Sequence, residues 1–230
     1  MAETAVKRAP GRGRFITFEG GEGSGKSTQI KMLAERLSAA KLRTIVTREP
    51  GGSPGAEIMR HLVLSGMGKL LGADAETLLF AAARDDHVRA VIEPALSQGI
   101  WVLCDRFSDS TRAYQGSLGK VSPAVLNAME RVTIGDLKPD MTIILDVPAE
   151  VGMTRAAARR GNGAPDRFEA EDVRFHQQLR EAYRKIAAGE PQRCVLIDAT
   201  AEPGAVAANI WAALQERFFA ASADNLASPA

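Results

Sequence analysis

The sequence predicts an α/β domain, a parallel sheet with helices on both faces. Three observations predict it. Apolar runs of strand length alternate with amphipathic runs of helix length. Two of the apolar runs, "IWVLC" and "TIILD", are nearly continuous, as strands covered on both faces are. A glycine-rich loop joins the first strand-like run to the first helix-like one.

Taken in order, "RFITFEG" is a β-rich run ending in glycine. From Ser27 the spacing turns helical, with Ile30, Leu33 and Leu37 on one face and Lys31, Glu35 and Arg36 turned away. "RTIVTREPGG" gives a strand and a Pro-Gly-Gly loop. Gly55 to Leu64 reads as a helix. "ETLLFAAARDDHVRAVIEPAL" reads as a longer helix, with a break expected near Pro94. The strand "GIWVLCDRF" follows. "SPAVLNAMERVTIG" is a helix with serine at its start and glycine at its end. After the strand "DMTIILDV", proline and an acid open the helix "PAEVGMTRAAARRG". "EAEDVRFHQQLREAYRKIAA" is an amphipathic helix, "RCVLIDA" the last strand, and "PGAVAANIWAALQERFF" the last helix.

Composition sets the bounds. The 230 residues are 45% hydrophobic and 25% charged, with a net charge of +1, the profile of an ordinary globule with no global field for nucleic acid or anionic membrane. No nucleic-acid or membrane partner is therefore expected. No apolar run approaches the ~20 residues that span a bilayer. Cys104 and Cys194 sit in apolar runs and read as buried thiols of a reducing compartment, so the cytoplasm is the expected location. Residues 1–14 are expected to form a disordered basic tail and 219–230 a flexible one. Residues 15–218 make one domain, with a lid at about 153–170.

The chemistry begins at "GGEGSGKS", Gly20 to Ser27, which matches G-x-x-x-x-G-K-[ST]. Glycines let backbone N–H groups converge on an anion, and the following helix adds its positive end. Lys26 reaches the outer phosphates, and the Ser27 hydroxyl can ligate Mg²⁺. The loop, Gly20, Gly21, Glu22, Gly23, Ser24, Gly25, Lys26, Ser27 and Thr28, is expected to hold a nucleoside triphosphate. The fold is then of the P-loop NTPase type. No Asn-Lys-x-Asp guanine reader is present. The strand "IWVLC" ends in Asp105-Arg106, an acid to hold the metal and a planar fork for phosphate. Asp146 ends a rival strand, and the Val147-Pro148 that follows offers a phosphate nothing, so Asp146 reads as structural.

Arg155, Arg159, Arg160 and Arg167 crowd one segment around "GNGAPD". Such a run is commonly a solvated surface. Beside a phosphate loop it also suits a lid that neutralises a migrating phosphoryl group and excludes water.

Together, "FITFEGGEGSGKS", "TREPGG", "LLFAAAR" and "DRFSDSTRAYQG" resemble the bacterial thymidylate kinases, from Phe15 to about Leu214. That resemblance implies a homodimer that moves the γ-phosphoryl of ATP to dTMP, giving dTDP for dTTP and DNA-precursor synthesis. It implies that Phe80 stacks on thymine and Arg84 reads a base carbonyl. Thr111 and Gln115 contact the base, and Tyr114 packs beneath the sugar. Arg60 and Arg106 hold the acceptor phosphate, with Glu49 ordering the cluster and Arg48 a weaker neighbour. Glu22 is placed near the sugar 3′-hydroxyl. Because the loop carries an acid and the lid carries the arginines, the catalytic charge is expected from Lys26, Arg106 and the lid's Arg155, Arg159 or Arg160. Asp166-Arg167 matches a recurrent pair. Ala199 to Glu202 is expected beside adenine. His61, His87 and His176 read as surface or interface residues. Two rival readings stay open: another nucleoside monophosphate kinase, and a regulatory ATP-binding module.

Overall fold

The computed structural model describes residues 11–161, 163–164 and 167–219. The expected tail at 1–10, residues 220–230 and Asp166 lie outside the described residues.

Five parallel strands form one sheet: β1 (Phe15–Glu19), β2 (Thr44–Arg48), β3 (Trp101–Asp105), β4 (Met141–Asp146) and β5 (Cys194–Asp198). Their spatial order is β2-β3-β1-β4-β5. The chain leaves central β1 and returns first on one side and then on the other, so the C-terminal ends of β1, β3 and β4 border one crevice. The register places Phe18 beside Asp105 and Glu19 beside Ile144. β1 is buried throughout, whereas edge strand β2 is half exposed, as its alternating Thr44, Val46 and Arg48 allow.

Alternation along the strands splits the core between the two faces. Ile16, Phe18, Leu103 and Ile143 pack against Ile30, Leu33 and Leu37 of α1 (Lys26–Ala39) and Val206, Ile210 and Leu214 of α9 (Pro203–Phe218). Phe15, Val102 and Cys104 face Val88, Ile92 and Leu96 on the other side. Each such large side chain contributes about 1.5–3 kcal/mol on burial. A third cluster joins Tyr114 and Ile144 to Leu179, Tyr183 and Ile186 of α8 (Val173–Gly189). Cys104 and Cys194 are buried free thiols, as the sequence suggests.

The remaining helices are α2 (Pro54–Leu64), α3 (Ala73–His87), α4 (Glu93–Ser97), α5 (Ser108–Thr111), α6 (Pro123–Thr133) and α7 (Ala149–Arg160). Ser122 caps α6 by accepting from Val125 N, and Asp172 caps α8 by accepting from Phe175 N at 2.8 Å. The break expected near Pro94 is a change of pitch instead. One wide π turn, Val88–Ile92, joins α3 to α4, and Pro94 falls in the first turn of α4, where its missing N–H removes little. The described chain is anchored before β1. Gly13 N donates to Leu96 O, and Arg14 pairs with Asp140. Phe219 stacks on Trp101 at the other end. Among the described residues no helix is long and apolar enough to cross a membrane.

Candidate active site

The loop between β1 and α1 stands against the start of α7 so closely that side chains are excluded from both. A Cβ on Gly23, whose φ is +65°, would sit 2.0 Å from Gly152 O, and one on Gly152 would meet Glu22 O at 2.4 Å. Gly152 carries no signal in a phosphate-loop motif, and only this contact explains it. Lys26 folds back over the loop, its Nζ donating to Gly20 O at 3.1 Å, Gly21 O at 2.9 Å and Ser24 Oγ at 3.4 Å. Burial, then the Arg106 charge, pushes its ammonium down to about 8, against the pull of Glu22, Asp105 and Glu19. Ser27 Oγ donates to Asp105 Oδ2 at 2.9 Å, so the two expected metal ligands adjoin. One hydroxyl and one carboxylate suit Mg²⁺, which keeps most of its waters and takes phosphate oxygens. These residues fit that ion.

Beside the loop lies a cavity of about 230 Å³. Its walls bring together Glu22, Glu49, Arg60, Phe80, Arg84, Arg106, Thr111, Tyr114 and Gln115, every acceptor-side residue singled out from the sequence. Pro50, Leu64, Phe107, Ser110, Arg159, Phe168 and Glu169 complete it. Arg84 is held rigidly: Nε donates to Glu49 Oε2 at 2.7 Å, and Nη2 donates to Phe107 O and Thr111 Oγ1, each at 3.1 Å. Arg60 donates to Pro50 O at 2.6 Å, next to the cis Glu49–Pro50 peptide. Arg48 instead turns out to an exposed pair with Glu57.

Arg106 has φ +70°, a left-handed backbone that only strong surroundings maintain in a residue with a Cβ. Its Nη2 donates to Glu22 Oε1 at 2.5 Å, and Nη1 donates to Tyr183 OH at 3.1 Å. Its guanidinium also stacks over Tyr114, 5.2 Å from the ring centre. Burial raises the Glu22 carboxyl, but Arg106, then Lys26 and Arg159, pull it down to about 2.

Beneath this layer is a carboxylate that sequence reading missed. Glu19 is wholly buried. Burial, then the Asp109 charge, raises it to about 7, while Arg106, Ser110 and Phe107 oppose the rise. A second buried group corrects an expectation. His87 is fully buried, not at the surface, with Nδ1 3.1 Å from Glu49 Oε1 and Nε2 2.6 Å from Thr47 Oγ1. His176 is likewise buried, and His61 alone of the three is exposed. Helical periodicity could not show that α3 turns His87 onto the end of β2.

The arginines expected in the lid have separate partners. Arg155 donates to the carbonyls of Ala199 (2.9 Å) and Thr200 (3.1 Å). Arg159 and Arg160 both reach Glu169, each at 2.8 Å. Arg167 leaves the group altogether and forms a bidentate pair with Glu76 on α3, one of its bonds at 2.9 Å. On the far side of the loop a hollow of about 460 Å³ runs from Gly23, Ser24 and Thr28 to Ala199, Ala201 and Glu202. Arg159 stands on the wall of both this hollow and the 230 Å³ cavity. Asp146 is paired with Arg180 at 2.6 and 2.8 Å.

A phosphate loop at the switch point of a 2-3-1-4-5 sheet, with a cavity and a hollow on either side, defines a P-loop nucleotide kinase. The thymidylate kinase family model matches residues 18–210. A thymidylate kinase of Bradyrhizobium diazoefficiens is 77% identical over 217 residues, covering 94% of this chain and 95% of its own. One of Nitrobacter winogradskyi is 76% identical over the full length of both chains. The crystal structure of the Ehrlichia chaffeensis thymidylate kinase superposes with a TM-score of 0.72 at 33% identity, covering 90% of this chain and 100% of the other. The chain belongs to the thymidylate kinase family.

Proposed function

We propose that the protein transfers the γ-phosphoryl group of ATP to dTMP, giving ADP and dTDP. The observation that carries this reading is the shared wall. Glu22 belongs to the phosphate loop and to the acceptor cavity, and Arg159 borders both compartments, so two nucleotides fit end to end across the loop.

In the cavity, Phe80 stacks on the thymine. Arg84 has Nε and Nη2 engaged by protein, and among the described residues no bond occupies Nη1, which is left for a base carbonyl. Thr111 and Gln115 flank the base, and Tyr114 lies under the sugar and disfavours a 2′-hydroxyl. Arg60 and Arg106 align the acceptor phosphate, which competes with Glu22 for Arg106. Glu22 then accepts from the 3′-hydroxyl. The second phosphate pKa lies at about 6, so the acceptor is a dianion at neutral pH and requires no general base.

On the donor side, backbone N–H groups of Gly20–Thr28 and the Lys26 ammonium hold the triphosphate, and Ala199–Glu202 border the adenine. Ser27 and Asp105 would hold Mg²⁺, which would supply neutralisation of the phosphate oxygens. Of the lid residues, Arg159 is placed to offset charge on the migrating group, Arg160 shares its Glu169 anchor, and Arg155 fastens the lid to the adenine side. We place the reaction in the cytoplasm and assign a homodimer. Ile58, Leu78 and Val132, exposed on α2, α3 and α6, suit a second copy, with α3 packed against both neighbours.

A coupled assay with ATP, Mg²⁺ and a panel of nucleoside monophosphates tests the assignment. The expected result is ADP release with dTMP well above the other acceptors. A panel in which dTMP gives no more ADP than water ends the reading.

A further inference from the structure

Glu19 takes no part in the chemistry above, yet four donors converge on it. Phe107 N donates to Oε1 at 2.8 Å and Ser110 N at 3.2 Å. On Oε2, Ser110 Oγ donates at 2.6 Å and Tyr183 OH at 3.0 Å. Above pH 7 the carboxyl is ionised and only accepts, so both hydroxyls, themselves 2.9 Å apart, can turn their protons inward to it. The lone pairs of Ser110 and Tyr183 then face outward. Arg106 Nη1 stands against both, 3.3 Å from Ser110 Oγ and 3.1 Å from Tyr183 OH. The two backbone bonds fix the turn that leaves Arg106 in its left-handed conformation.

We propose that Glu19 is a positioning residue that presents Arg106 to the acceptor phosphate through Ser110 and Tyr183. It does so by setting the direction of their hydrogen bonds. Arg106 thus has an exchangeable partner, Glu22, which the phosphate displaces, and a permanent mount, which it does not. A glutamine at position 19 keeps the volume but brings N–H donors into a ring of donors, so at least one bond must break or reverse. The inference rests on the reading of Arg106 as a phosphate ligand. Substrates that differ only in the phosphate test it.

The experiment is calorimetric titration at pH 8, where Glu19 is ionised, of dTMP and of thymidine into the wild type, Glu19→Gln and Tyr183→Phe. In Glu19→Gln the Kd for dTMP is expected to rise about tenfold, the scale of one charge-assisted bond, while the Kd for thymidine stays within about twofold. Tyr183→Phe keeps the ring packing, removes one acceptor of Arg106, and is expected to show the same selective loss at smaller size. Equal losses for both ligands, or an unchanged dTMP-to-thymidine ratio, overturn the proposal. Should Glu19→Gln fail to fold by circular dichroism, an unchanged ratio in Tyr183→Phe overturns it alone. A wild type that binds dTMP no better than thymidine removes the phosphate-site reading itself, and this inference with it.

Discussion

The phosphate loop and the acceptor cavity touch at Glu22, but they are made differently. The loop is nine consecutive residues, four of them glycine, with one ammonium laid across its carbonyls. The cavity is made of side chains from the turn after β2, α2, α3, the segment after β3 and residues 159–169, and two of its arginines are aimed by the buried ion pairs Glu49–Arg84 and Glu22–Arg106. A backbone cradle depends on conformation and tolerates much change in neighbouring side chains. A cavity of paired charges depends on every partner, because removing one strands the other in a poorly solvated place.

Lys26→Ala sharpens the contrast most. It is expected to cut kcat about 10³-fold, at the upper end for loss of one charge-stabilising donor, with the melting temperature nearly unchanged. Near-normal turnover would remove Lys26 from the phosphate path. Arg84→Ala comes next, with a rise in the dTMP KM on the order of 10²-fold and an unchanged ATP KM. Parallel rises in both constants would mean that loop and cavity are not separable. Within the lid, Arg159→Ala should lower kcat about tenfold more than Arg155→Ala, since only Arg159 borders both compartments. Equal effects would place the transferring charge elsewhere.

The smallest effect is on stability against pH, where two carboxylates of one site act oppositely. Glu22 has a folded value of about 2, below its usual 4.5. Its stabilisation is therefore present above pH 4.5 and is lost as pH falls toward 2. Glu19 has a folded value of about 7, so the folded state holds its proton longer and stability falls as pH rises from 4.5 to 7. Melting curves of Glu22→Gln should approach the wild type at low pH, and those of Glu19→Gln should lack the decline toward neutrality. The reverse pattern would exchange the two roles.

Legibility follows the same divide. Gly20–Ser27 could be read in sequence because a phosphate cradle is a local conformation. Strand and helix order could be read because strand and helix periods differ. The cavity residues, Arg60 apart, fall in four family-like stretches; all of them line the same space, whereas the neighbouring Arg48 turns away to Glu57. Glu19 escaped notice because nothing in "FITFEG" says that Phe107, Ser110 and Tyr183 will meet it. His87 was misplaced for a related reason. One polar residue on a helix does not reveal which neighbour its face will meet. Sequence alone does not rank Arg155, Arg159 and Arg160, but their partners, Ala199 for the first and Glu169 for the other two, separate them.

The sequence by itself determined an α/β sheet, a phosphate loop at its first turn and a set of acceptor-side residue types, because backbone periodicity and glycine geometry act over a few neighbours. Only the tertiary structure decided which arginine each carboxylate restrains, that Gly152 must make room for Gly23, and that a buried glutamate stands under Arg106. Those outcomes depend on residues that the sequence separates, such as Glu22 and Arg106, 84 positions apart, and only the packed fold brings them within bonding distance.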